Sequence, residues 1–229
     1  MRIRLVIPGI LLSMILTFST LFGEKKEAKR LKESGAVFKE IMSAPDAAIP
    51  QNLLDRAECV AVIPHVIKGG FVWGGEYGKG VVSCRSPRRG SWGPPAFIRL
   101  TGGSFGAQIG GQAIDIVLLI MKRRGIDSLL KDKFKLGADA SVAGGPVGRR
   151  AEAATDILLR AEILAYSRSR GLFAGVALDG TVVAADKDAN RTIYKKDMAA
   201  PDILNGQGVS IPGEAAGFLS ALKQYTSKN

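Results

Sequence analysis

Residues 59–84 read CVAVIPHVIKGGFVWGGEYGKGVVSC, and this stretch decides the fold class. Short runs of β-branched and other apolar residues alternate in it with glycine, proline and serine, as is typical of strands joined by turns. The same texture continues to residue 120, and thirteen glycines lie between Gly69 and Gly111. Glycine weakens a strand unless it marks a bulge, a sharp bend or a close backbone approach, and a strongly curved sheet uses all three. The stretch therefore predicts a glycine-rich, strongly curved antiparallel sheet or a barrel-like core.

The flanking segments complete an α+β prediction. Apolar residues recur at helical spacing before the sheet, over 24–43 and from residue 50, and again over 214–225. Further strand-like runs cover 134–143, 161–167, 172–178 and 181–185, residues 178–181 read as a hairpin turn, and a short helix follows residue 125. We find no linker long enough to divide the chain. One domain is expected, with its sheet between N-terminal and C-terminal helices.

The first 23 residues have the organisation of an export signal. Arg2 and Arg4 precede an uncharged run over 5–22, and charge resumes at Glu24. A basic start, an apolar stretch and a polar exit are typical of a secretory signal peptide, although a run of this length is also the minimum for a membrane span. We predict a signal peptide over 1–23, with an uncleaved anchor as the alternative. The mature protein is then exported to the periplasm or cell envelope, as a peripheral membrane protein.

The overall composition narrows the function classes. The chain has 229 residues, of which 46% are hydrophobic, and a formal net charge of +11. Such a composition excludes wholesale disorder. Two cysteines and one histidine are too few for a disulfide scaffold and argue against a closed zinc site. The glycine runs lack the spacing of phosphate-binding and dinucleotide-binding loops. We expect neither a metal nor a cofactor.

The sequence also argues against an enzyme. His65 is the only imidazole, it lies in an apolar context, and no Gly-x-Ser-x-Gly elbow is present to supply a nucleophile. A non-catalytic protein is therefore predicted. Cys59 and Cys84 admit two interpretations, a bridge in an oxidising compartment or two buried thiols.

Positive charge is densest in the segment 24–44, which reads as a basic amphipathic helix. A helix of this kind with phenylalanine on its apolar face can lie in a membrane interface, where each lysine adds about 1 kcal/mol of attraction to anionic lipid. The alternative is that its apolar stripe packs on the sheet and its charges stay in water. Nucleic acid is not expected as a partner, because aromatic residues are poorly interleaved with the basic ones and no recognition motif is present. The candidate lipid-binding residues are Lys25, Lys26, Lys29, Arg30, Lys32, Phe38 and Lys39.

Four strings resemble a known family. They are RAECVAVIPHVIKGGFVWGGEYGKGVVSCR (56–85), GSWGPPAFIRLTGGSFGAQIGGQAIDIVLLIM (90–121), FKLGADASVAGGPVGR (134–149) and AYSRSRGLFAGVALDG (165–180). In order and spacing they are similar to the SYLF domain, a lipid-binding module of yeast and animal actin-patch proteins. The resemblance covers roughly residues 50–225.

The resemblance implies a lipid-binding domain over 45–229. Members of the family bind phosphoinositides or other anionic phospholipids without catalysis, a basic helix before the domain contributes to the membrane contact, and some members bind actin. With its export signal the chain is similar to single-domain bacterial members of the cell envelope, where phosphatidylglycerol or cardiolipin would replace inositol lipids. The alternative is a protein-interaction module, actin-binding-like in eukaryotic relatives, that meets an acidic envelope protein and has no direct lipid role.

Overall fold

A computed structural model describes residues 8–44, 49–70, 73–86, 91–105, 112–122, 125, 131, 133–147, 160–169, 171–206 and 208–226. Its helices are α1 (Pro8–Met42), α2 (Gln51–Arg56), α3 (Lys187–Tyr194), α4 (Ala200–Asn205) and α5 (Ala216–Tyr225), the last preceded by a 3-10 turn at Gly213–Ala215. Its strands are β1 (Cys59–Gly70), β2 (Trp73–Cys84), β3 (Ala96–Phe105), β4 (Gln112–Ile120), β5 (Lys133–Lys135), β6 (Val142–Gly144), β7 (Ile163–Ser169), β8 (Leu172–Gly175) and β9 (Val182–Ala185).

These strands form one sheet in the order β5-β9-β3-β2-β1-β4-β7-β6, with β8 also paired to β7. Every pairing is antiparallel except that of β6 with β7. The order ends at β5 and β6 and does not close, so the sheet is open and the barrel alternative is not realised. The α+β prediction is confirmed, with helices at both ends of the chain around an antiparallel sheet.

Part of the sheet is buried on both faces, which explains why β4 and the first half of β1 are almost continuously apolar. Along β1, Cys59, Ala61 and Ile63 join one hydrophobic core, which includes residues of α4. Val60 and Val62 join the other core, which contains the apolar residues of α1, α2 and α5. Because successive strand residues point to opposite faces, covering both faces requires apolar residues at every position. The helix α1 is therefore part of the core of the sheet.

A β-bulge in β1 accounts for part of the glycine content. Register shifts between Val62 and Ile67 against both neighbouring strands, and His65 has a φ of 52° within the bulge. On β2, a Cβ placed on Gly80 would lie 2.7 Å from the Ile63 Cα and closer still to the Val62 carbonyl oxygen. Real Cβ atoms do not approach backbone so closely. The glycine is needed so that β2 can pass against the bulged strand.

The predicted helices are found with shifted ends, and one predicted hairpin is wrong. Thr181 donates its backbone N–H to the Leu178 carbonyl at 3.1 Å, so the turn over 178–181 forms. However, β8 pairs with β7 whereas β9 lies between β3 and β5, so this turn does not join paired strands. The predicted helix after residue 125 falls on 126–130, outside the described residues, as do residues 1–7 of the predicted signal peptide.

The two cysteines form a disulfide. Cys59 and Cys84 are directly paired in register across β1 and β2, and their sulfur atoms are 2.02 Å apart. Both side chains lie in the same hydrophobic core. Of the two interpretations that the sequence left open, the structure has the bridge rather than two buried thiols.

Candidate functional site

Helix α1 has one buried face and one exposed basic face. Leu31, Phe38 and Ile41 recur at helical spacing and are fully or almost fully buried against the sheet and α5. On the opposite side the lysines recur at separations of three, four and seven residues, which bring them to one side of a helix, and all of them are exposed. We call this side the lysine face; it consists of Lys25, Lys26, Lys29, Lys32 and Lys39.

The acidic residues of the same helix neutralise only one of the five positive charges of this face. All four acids of α1 are held in ion pairs, three of them with residues outside the lysine face. The pairs are Glu24–Lys195 at 2.6 Å, Glu27–Arg30 at 2.8 Å, Glu33–Lys29 at 3.6 Å, and Glu40–Arg168. Within the described residues no carboxylate lies within 4.0 Å of the ammonium groups of Lys25, Lys26, Lys32 or Lys39. The helix therefore presents about four unpaired positive charges to solvent.

Two of the candidate lipid-binding residues are not on this surface. Arg30 is only 6% exposed and Phe38 is fully buried, so the prediction that they face a membrane is corrected. Phe38 packs in the core, with its ring edge-on to the Tyr225 ring at 6.2 Å between centroids. The apolar stripe of the helix packs against the rest of the protein and is not exposed to a membrane. The other five candidates are the exposed lysines of the lysine face, and their role in lipid binding stays a prediction.

Arg30 instead belongs to a buried ionic cluster that fastens α1 to the sheet. It donates to the Asp186 carboxylate at 3.1 Å, and its guanidinium lies over the Phe97 ring at 5.4 Å. Lys79 of β2 donates to the same carboxylate oxygen at 2.8 Å. Burial alone would raise the pKa of Asp186, but the hydrogen bond from Lys79 and the charges of both cations outweigh it and hold that pKa below its usual value. Asp186 is therefore ionised at neutral pH.

Glu27 lies at the edge of this cluster, and its environment has the opposite effect. Burial raises the pKa of Glu27, and the nearby charge of Arg30 only partly offsets that rise. The pKa values of the two carboxyl groups thus shift in opposite directions, because Asp186 receives hydrogen bonds from two cations whereas burial dominates at Glu27. Glu27, Arg30 and Asp186 are all buried, and the geometry of the cluster is that of a structural fastening.

Two depressions adjoin the lysine face. The first, about 470 Å³, lies between α1 and the C-terminal residues and is lined by Ala28, Lys32, Gly35, Ala36, Lys39, Glu214 and Gly217. The helices come close here because Gly35 has no side chain: a Cβ on it would be 3.2 Å from the Phe218 Cα. The second, about 320 Å³, is lined by Lys26, Lys29, Arg30, Glu33, Pro64, His65, Ile67, Tyr77, Gly78 and Lys79.

Other possible sites have less support. Within the described residues no group of three or more His, Cys, Asp or Glu side chains converges as metal ligands would. The exposed His65 uses its backbone N–H as a donor to Asp115 Oδ1 at 3.0 Å, as part of the bulge. Among the helices in the described part of the chain, none is long and apolar enough to cross a membrane.

Comparison with known proteins identifies the family. A family model described as "Ysc84: Las17-binding protein actin regulator" matches residues 101–225, more than half of the chain. The chain belongs to this family, the Ysc84 or SYLF family. The resemblance noted in the sequence is thereby confirmed.

Relatives extend the match over most of the chain. SH3 domain-containing YSC84-like protein 1 of Homo sapiens is 36% identical over 207 residues, which cover 89% of this chain and 58% of the relative. LAS seventeen-binding protein 3 of Saccharomyces cerevisiae is 34% identical over 191 residues, which cover 82% of this chain and 41% of the relative. The chain therefore spans less than two thirds of the length of the relatives it matches. Neither the family description nor these names denote an enzyme.

Proposed function

We propose that this protein is a non-catalytic membrane-binding protein that recognises anionic phospholipids through the lysine face of α1. The observation that carries the proposal is the set of four unpaired lysines on one exposed side of a helix whose acids are all paired. Each lysine near an anionic surface contributes about 1 kcal/mol, so four contribute about 4 kcal/mol, or roughly three orders of magnitude in affinity.

The proposed contact is electrostatic, with α1 lying on the lipid headgroups. An interfacial helix usually buries its apolar face in the acyl boundary. Here that face packs against the sheet, with Leu31 and Phe38 fully buried, so it is not available for insertion without detaching α1. Attraction between exposed charges is screened by salt, because the Debye length falls from about 10 Å at 0.1 M to about 3 Å at 1 M ionic strength. Binding through the lysine face should therefore depend strongly on both salt and lipid charge.

Vesicle co-sedimentation of the full chain tests this dependence. We expect binding to vesicles of 30% phosphatidylglycerol in phosphatidylcholine at low salt, weakened at least about tenfold at 0.5 M salt. Pure phosphatidylcholine vesicles measure any charge-independent association and serve as the control. Equal binding to the two vesicle types, or binding indifferent to salt, would contradict the proposal.

We further propose that the protein is exported and acts at the cell envelope. The order of charge and apolar residues over 1–23 supports this, and so does the disulfide between Cys59 and Cys84, since disulfides persist in oxidising compartments. N-terminal sequencing of the mature protein is expected to begin near Glu24. A retained Met1 would refute cleavage and favour the anchor alternative.

A protein-interaction module is the second candidate, since the family description names a Las17-binding actin regulator. In this alternative the lysine face meets an acidic protein of the envelope. It predicts that cross-linking in cells captures one discrete partner through the lysine face. It also predicts that vesicle binding, if any, does not respond to reversal of the charges of Lys25, Lys26 and Lys29.

A further inference from the structure

Beside the lysine face lies a section of the sheet whose side chains remain exposed. Ile67 of β1 and Tyr77 of β2 are directly paired, yet they are 61% and 47% exposed. Ile67 is also paired with Ala113 of β4, and Tyr77 with Thr101 of β3, and both of these partners are exposed. Directly opposed residues of an antiparallel sheet point to the same face, so the four form one exposed row across four strands. We call Ala113, Ile67, Tyr77 and Thr101 the apolar row.

The apolar row is held outward by a built feature of the fold. The bulge shifts the register of β1 so that Val66 joins Ile63 in one core, and Ile67 points to the other face of the sheet. The bulge is fixed by Asp115, which accepts the His65 N–H and is held by the Arg168 guanidinium at 2.7 and 3.0 Å. The exposure of Ile67 thus follows from the bulge, which these hydrogen bonds hold in place.

Cations surround the row on the side of α1. Lys26 and Lys29 line the same depression as Ile67 and Tyr77, which makes the row continuous with the lysine face. On β3, Arg99 is exposed one pleat away from Thr101 and is paired in register with Lys79. Within the described residues neither Lys26 nor Arg99 has a carboxylate within 4.0 Å. The acids nearby are already paired, Glu33 with Lys29 and Asp186 with Lys79.

We infer that the apolar row enters the interface of the same anionic bilayer that the lysine face contacts. The inference rests on the proposed function and adds a second, apolar contact to it. An exposed isoleucine gains free energy in proportion to the area removed from water, and tyrosine suits the headgroup level because it has an apolar ring and a polar hydroxyl. Lys26 and Arg99 then meet lipid phosphates around the row. A bilayer fits this surface because anionic headgroups lie next to an apolar interior, just as the cations lie next to the apolar row.

Two double variants test the inference with the full chain. Ile67→Ser with Tyr77→Ser is expected to weaken binding to vesicles of 30% phosphatidylglycerol in phosphatidylcholine about tenfold, with an unchanged salt dependence. The matched control is Leu172→Ser with Ile211→Ser, because these side chains are 79% and 48% exposed but lie elsewhere. The control should bind like the original chain. If the original chain binds and both double variants bind as well as it does, the inference is overturned while the proposed function stands. If the original chain does not bind, the inference and the proposed function both fall.

A fluorescent label locates the contact directly. Both native cysteines are in the disulfide, so Ile67→Cys introduces a single free thiol for an environment-sensitive dye. We expect a blue shift on the anionic vesicles and none on phosphatidylcholine alone, whereas the same label at Leu172→Cys stays unshifted on both. A label at position 67 that remains unshifted on sedimenting vesicles would overturn the inference. A blue shift that appears without vesicles as protein concentration rises would also overturn it, in favour of a second copy of the chain.

Discussion

Replacing Gly80 by alanine is expected to lower the free energy of unfolding by about 3 kcal/mol, the upper part of the range for overpacked sites. The added methyl carbon would lie 2.7 Å from the Ile63 Cα and closer to the Val62 carbonyl oxygen, and backbone atoms cannot rotate away as a side chain can. Either β2 moves away from the bulge or the β1–β2 pairing is lost locally. Urea denaturation followed by circular dichroism measures the change.

Gly103→Ala is the matched control for this substitution. Gly103 lies in β3 of the same sheet, and a Cβ placed on it meets no atom within 4 Å. Its replacement should change the free energy of unfolding by no more than about 0.5 kcal/mol. Equal effects at Gly80 and Gly103 would show that glycine is not required at the bulge.

The second large effect is expected at Asp186. Its carboxylate neutralises Arg30 and Lys79 inside the protein, so Asp186→Ala removes one of the two carboxylates that pair with the buried Arg30 guanidinium. Removing one partner of a buried ion pair costs about 3–5 kcal/mol. We expect a loss of about 3 kcal/mol, because Glu27 remains 2.8 Å from Arg30. Asp188→Ala is the control, since that side chain is 93% exposed, and it should be nearly silent.

The same residue predicts a pH dependence. The pKa of Asp186 is lower in the folded than in the unfolded protein, so its contribution is fully present above the unfolded value near 3.8. That contribution is lost as the pH falls through the lowered folded pKa. The stability difference between the original chain and Asp186→Asn should therefore be constant from pH 7 to about 5 and shrink below pH 4. A difference that persists unchanged at pH 2 would mean that the carboxylate charge is not what stabilises α1.

The lysine face could be predicted from the sequence, whereas the role of Arg30 could not. Lysines at helical spacing belong to one side of a helix whatever the fold. Arg30 has the same chemistry as its neighbours, and its burial depends on Asp186, which lies 156 positions away in the sequence. Phe38 shares a stripe with Leu31 and Ile41, but periodicity does not distinguish a protein core from a membrane as the apolar partner.

The apolar row was missed because of the bulge. Strict alternation along β1 would put Ile67 on the same face as Ile63, inside the core. One extra residue reverses that assignment. The positive φ of His65 accompanies this extra residue, and a histidine between proline and valine does not predict it. The dense glycine of this region did indicate bulges and close approaches in general. It did not indicate at which residue the register would change.

The lysine face supplies the proposed membrane attraction, and charge reversal tests its role most directly. The measurement is the affinity of full-length protein for vesicles of 30% phosphatidylglycerol, with Lys25, Lys26, Lys32 and Lys39 all changed to Glu. The matched control changes four exposed lysines outside α1, Lys131, Lys133, Lys135 and Lys196, to Glu and so alters the net charge equally. We predict that the α1 variant loses at least about a hundredfold in affinity while the control loses less than tenfold. Equal losses in the two variants would contradict a specific lysine face, and no loss in either would contradict electrostatic membrane binding altogether.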